Sequence, residues 1–153
     1  MPNKIITNIA NTMPLENASI MPPVKIGIIG EMGKQAGITF YQAFCAAFAK
    51  ARLDEENILL MGDENTPDRT EAILHDGASP VPNIVAIANQ LKARGANYGV
   101  MACNTAHHFL PEIRKETALE MLDMIDITAN YINTNYNNAK TALLATNGTV
   151  KTG

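Results

Sequence analysis

The chain has 153 residues, 46% hydrophobic and 18% charged, with a formal net charge of −3 at pH 7. That length carries one domain with a sizeable core, and the lack of any basic run argues against nucleic acid or an anionic membrane surface as partner. No apolar stretch approaches the ~20 residues of a membrane span.

In chain order, residues 1–22 are polar and interrupted, unlike a signal peptide, and read as a loosely held tail. VKIGIIG, Val24 to Gly30, reads as a buried strand. A helix is expected over Gln35–Arg52, where Ala36, Phe40, Phe44, Phe48 and Ala51 recur at helical spacing. Cys45 lies beside that stripe and reads as a small core residue. NILLMGD is a second strand and runs into the polar loop ENTPDRT, with a short helix over Thr70–Leu74. Asn83–Arg94 is helical, with Gly95 at the C-terminal cap position. YGVMA, Tyr98 to Ala102, is a third strand. The helix expected within Ala106–Thr117 has Pro111 in its first turn or as its irregularity. EMLDMID holds a fourth strand, ITANYINTNYNN is helical before fading into a loop, and KTALLAT is a fifth strand. Strands alternating with helices predict a parallel sheet in an α/β sandwich.

In such sheets ligands bind beyond the carboxyl ends of the strands. The polar segments that follow the strands here include Gly30–Gly33, Pro67–Thr70, Cys103–Thr105, Asp126 and Thr146–Thr149, and they are expected at one edge. Cys103 falls where backbone amides and a helix N-terminus stabilise a thiolate. A buried cysteine with Asn104 and Thr105 as helix caps fits the same spacing. Arg69 in PDRT suits bidentate recognition of a carboxylate, and it also suits a solvated surface. His107 and His108 could tune the thiolate or bind a metal; they are adjacent and do not share one side of a helix, and no other cysteine or acid completes a ligand set at familiar spacing, so no metal site is expected. Gly27, Gly30 and Gly33 form G-x-x-G-x-x-G, which is not the dinucleotide pattern. With two cysteines there is no disulfide framework, and a reducing cytoplasm is the expected compartment.

VKIGIIGEMG, NTPDRT, DGASPVP, MACNTAHHF, MIDIT and LLATNGT, in this order, resemble the aspartate/glutamate racemase family, especially its aspartate racemase branch. The resemblance covers Val24 to the end. It implies a cofactor-independent amino-acid racemase with two similar α/β domains and a cleft between them. Each domain supplies one cysteine, and the two act on opposite faces of the α-carbon of a small dicarboxylic amino acid. By position, Cys103 is the first-domain acid/base, and Arg69 holds one substrate carboxylate. Asn104 and Thr105 hold the other. Met32 and Gly33 line the pocket, and Thr146 and Thr149 open into it. Glu31, Lys34 and Gly37 depart from the family's first loop, and an inward Glu31 carboxylate would repel a dianionic substrate.

The expected layout is a tail over residues 1–22, a first racemase-like domain over 23–137, and the start of a second domain over 138–153. The second cysteine is then absent, because Cys45 lies mid-helix. A homodimer covering the lost interface is expected. The other readings are a carboxylate-binding remnant and a related enzyme such as a hydantoin racemase, arylmalonate decarboxylase or maleate isomerase.

Overall fold

The computed structural model describes residues 24–136 and 139–152. The expected tail over residues 1–22, and the junction at residues 137–138, lie outside the described residues. The strands are β1 (Ile26–Ile29), β2 (Ile58–Met61), β3 (Tyr98–Met101) and β4 (Glu120–Met121). The helices are α1 (Lys34–Lys50), α2 (Arg69–Leu74), α3 (Val81–Ala93), α4 (Leu110–Glu116), α5 (Met124–Asn135) and α6 (Asn147–Thr152). All strand pairings are parallel, in the order β2-β1-β3-β4.

Side-chain alternation sorts β1 and β3 onto the two faces of the sheet. Ile28 and Val100 join Phe48 of α1 in one core, with Phe40 and Phe44 packed against it. Their rings stack along the helix at centroid distances of 5.1 and 6.5 Å. Ile29 and Met101 face the other way, into a core built by Ile84, Ile87, Ala88 and Leu91 of α3 with Leu110 and Ile113 of α4. The three-layer α/β arrangement expected from the sequence is thus observed.

The glycines of the first strand serve packing. A Cβ on Gly27 would stand 2.8 Å from Leu91 Cδ1, and one on Gly37 would stand 3.5 Å from the Gly30 Cα. These positions let α3 and α1 approach the strand closely. Gly95 takes φ +88°. Its N–H donates to the Lys92 carbonyl, and the Ala96 N–H donates to the Leu91 carbonyl, which closes α3 with a Schellman motif as the sequence anticipates. Pro111 lies in the first turn of α4, which follows a short 3-10 turn over Thr105–Phe109.

Two expectations fail. EMLDMID holds the expected fourth strand, at Glu120–Met121, but Asp126 does not follow it directly. The Asp123 carboxylate accepts from the N–H groups of Ile125 and Asp126 and starts α5 there, so Asp126 sits in a helical first turn rather than after a strand. KTALLAT is not a strand. Leu143 and Leu144 are 69% and 93% exposed, and the outermost strand, β4, is only two residues long. An apolar, β-prone run becomes a strand only where a neighbour offers unpaired backbone. After it the chain turns into α6.

Candidate functional site

The register aligns Ile29 with Met61 on one side and Met101 on the other, so β1, β2 and β3 end together. With the order β2-β1-β3-β4, the topological switch falls between β1 and β3, where open α/β sheets place their ligand crevice. A cavity of about 650 Å³ opens there. Met32 lines it from the loop after β1, and Ala102, Cys103, Asn104 and Thr105 line it from the segment after β3. Ala36 and Phe40 of α1, Met124, Leu144, Ala145, Thr146 and Thr149 complete the wall.

Cys103 is half-buried and is a free thiol. Asn104 is exposed, precedes the 3-10 turn with φ −60° and makes no side-chain cap hydrogen bond. Thr105 is buried but is not a cap. Its Oγ1 lies 2.8 Å from Thr146 Oγ1 and 3.0 Å from Thr149 Oγ1, and those two are 3.2 Å apart. The three hydroxyls form a triangle that seats the α6 segment on the Cys103 loop. Gly148 makes this seating close, since a Cβ there would stand 3.0 Å from Thr105 Cγ2 and 3.2 Å from Thr70 Oγ1.

Arg69 shares the sheet edge with Cys103, but it does not line the cavity. Asp68 caps α2 through the Glu71 N–H at 2.9 Å. Arg69 Nη1 donates to the Pro67 carbonyl at 3.0 Å and more weakly to Thr66 at 3.4 Å. Its Nη2 donates to the Met32 carbonyl at 3.2 Å. The Nε is buried without a partner among the described residues, a condition that costs about 1–3 kcal/mol. In this geometry the guanidinium straps the PDRT loop to the Met32 loop. Gly33 takes φ +132°, where a side chain is strained, and forms the N-cap of α1 beside the cavity rather than in its wall.

Glu31 is turned elsewhere. Its backbone is left-handed at φ 61°, its side chain packs over Gly62, and its carboxylate lies 3.8 Å from Lys34 Nζ. Cys45 is also apart from the site. It is half-buried on α1, and its hydrogen bond raises the Tyr41 phenol above its ordinary pKa. At the end of β2 the Asp63 carboxyl is held below its usual range, first by the Asn65 amide and then by the Asn83 side chain. Among the described residues no group of three or more His, Cys, Asp and Glu converges, and no helix is long and apolar enough to cross a membrane.

Ala36, Phe40 and Met124 were not identified as site residues in the sequence. Ala36 and Phe40 belong to the apolar stripe of α1, and their i, i+4 spacing carried them to the cavity as readily as to the core.

Three comparisons bear on this geometry. The solved aspartate racemase of Picrophilus torridus shares 33% identity over 84% of this chain and 55% of its own, with a TM-score of 0.67. An aspartate racemase homologue from Pyrococcus horikoshii OT3 has the same fold at 19% identity and a TM-score of 0.60, over 73% of this chain and 50% of its own. The chain thus spans about half the length of these solved structures. The pattern of the Asp/Glu/hydantoin racemase family matches residues 29–153, and the chain belongs to that family.

Proposed function

We propose that this chain provides the first half of a cofactor-independent racemase acting on aspartate or a close dicarboxylic relative, in which the Cys103 thiolate serves one face of the α-carbon. The observation that carries the reading is Cys103 at the switch between β1 and β3, in the wall of a cavity large enough for a small amino acid. Asn104 and Thr105 hold the carboxylate nearer the thiol. Arg69 takes the other by exchanging its Met32 carbonyl for a substrate oxygen, and the unpaired Nε favours that exchange. Met32, Gly33, Thr146 and Thr149 shape the pocket. The first domain runs over residues 23–137, and residues 138–153 lead into a second. The setting is the cytoplasm, where thiols stay reduced.

In the chemistry, the Cys103 thiolate takes the α-proton and becomes a thiol, and the electron pair passes into the adjacent carboxyl group. Racemisation needs a second acid on the opposite face, because a single base returns the proton to the side it left. Cys45, paired with Tyr41 on α1, is not placed to serve. The second acid comes from the region equivalent to the remainder of the longer relatives, and a homodimer of this chain covers exposed Leu143 and Leu144 without supplying it.

The test is to incubate L- and D-aspartate separately with the 153-residue chain in deuterated buffer. Exchange of the α-hydrogen with retained configuration is expected, and Cys103→Ser abolishes it. Rapid interconversion of the enantiomers would refute the one-base reading, and equal exchange by the variant would remove Cys103 from its role. Binding of aspartate with no exchange would favour a carboxylate-binding module.

A further inference from the structure

His107 is only 9% exposed, in the short turn that follows Cys103. Its Nδ1 lies 2.8 Å from the carbonyl oxygen of Cys103. Its Nε2 lies 3.3 Å from the backbone nitrogen of Met124. A carbonyl only accepts and a backbone N–H only donates, so one form of the ring satisfies both contacts: neutral, with the proton on Nδ1. The other neutral tautomer sets lone pairs together at Cys103 and N–H groups together at Met124. His108, in contrast, is exposed and meets the Phe109 ring edge-on at 4.9 Å.

A second observation comes from the start of α5. The first four N–H groups of a helix need outside partners. Here the Asp123 carboxylate accepts from Ile125 and Asp126, while the Ile127 N–H makes the helix's own first bond, to the Asp123 carbonyl. The Met124 N–H goes to His107 Nε2. The ring therefore adds to the cap of α5 while holding the peptide of Cys103. Cys103 ends the β3 side of the cavity, and Met124 forms the wall contributed after β4.

We propose that His107 is a positioning residue: in its Nδ1–H form it locks the Cys103 carbonyl to the first amide of α5, and so fixes the aim of the Cys103 thiol and the Met124 wall together. The inference rests on the role given to Cys103 above, but its contacts exist whether or not the chain acts on aspartate.

The experiment uses the full chain carrying Cys45→Ser, without aspartate, so that iodoacetamide reads Cys103 alone. Nitrogen-15 NMR of the histidine rings is expected to show His107 protonated at Nδ1, with Nε2 an acceptor. In His107→Asn the shorter amide still donates to the Cys103 carbonyl but falls short of Met124. Alkylation of Cys103 then stays within about twofold of the parent, while hydrogen exchange at the Met124 amide rises about tenfold, as loss of one hydrogen bond allows. In His107→Ala both contacts go, and alkylation also changes, by about fivefold or more. A ring protonated at Nε2, or an unchanged Met124 amide in His107→Asn, would overturn the proposal. Should His107→Ala fail to fold, the parent's tautomer and the Asn variant still decide. Failure of α-hydrogen exchange would refute the racemase reading and leave these results untouched.

Discussion

Replacing Gly148 by alanine tests whether close approach seats the α6 segment against the Cys103 loop. The new Cβ would lie 3.0 Å from Thr105 Cγ2, 3.2 Å from Thr70 Oγ1 and 3.4 Å from Thr70 Cα. Carbon contacts rest at about 3.5–4.0 Å, so the segment must retreat by roughly half an ångström or more. Thr70 Cα is backbone within α2 and does not yield. Such overpacking costs about 1–3 kcal/mol. Against it stands the better helix propensity of alanine, about 1 kcal/mol in a helix interior and less in a first turn. The retreat also stretches the bonds from Thr105 to Thr146 and Thr149, each worth about 0.5–1.5 kcal/mol. The net is about 1–3 kcal/mol against docking, a factor of roughly 5–150. The Val150 N–H, which donates to the Thr146 carbonyl at 3.0 Å, is the reporter. Its hydrogen exchange should accelerate by roughly tenfold, while the global melting temperature, governed by the two sheet cores, moves little. Slower exchange in Gly148→Ala would mean that propensity outweighs contact and would refute the reasoning.

Gly99→Ala should lower stability by about 1–3 kcal/mol in thermal melts, because its Cβ would meet Met121 Sδ at 2.5 Å and Leu119 Cδ2 at 2.7 Å; an unchanged melt would show that these side chains repack freely. Asp123→Ala removes the acceptor of two N–H groups at the start of α5, costs about 1 kcal/mol, and should reduce helical circular dichroism without unfolding the sheet. The depressed Asp63 carboxyl contributes stability that is present above its unfolded pKa and lost as pH falls through its lower folded value. Asp63→Asn should therefore lower stability in the neutral region, converge with the parent at low pH and so flatten the acid limb of the melting profile, and an identical profile would remove Asp63 from that account.

The elements that alternation and helical spacing reveal were legible: β1, β3, α1 and α3 each carry their pattern within a few residues, and Gly95 closes α3 where it was expected. The convergence of Met32 and Cys103 was also legible, because a parallel sheet sends every strand's carboxyl end to one edge. KTALLAT misled because composition specifies a willingness to pair and not the presence of a partner. EMLDMID holds β4 as expected, but Asp126 was misplaced because one capping aspartate, Asp123, starts a helix before it. The chemistry of Arg69 was visible in PDRT but its backbone partners were not, since one of them, the Met32 carbonyl, lies 37 positions away. The sequence marks His107 only together with His108, as groups able to tune the thiolate. Its i, i+4 relation to Cys103 was visible, but the contact with Met124 spans 17 positions and depends on how β3 and β4 lie together.

The triangle of Thr105, Thr146 and Thr149 has a further consequence in its proton count. Each hydroxyl owns one hydrogen and can accept twice. Three mutual bonds consume all three hydrogens, so the closed ring offers visitors lone pairs and nothing to donate. An ammonium group can settle against it at no loss. A carboxylate reaching Thr105 must take a hydrogen from the ring, and one side of the triangle then opens. Because those sides seat α6, occupancy by an anion and loosening of that wall become a single event.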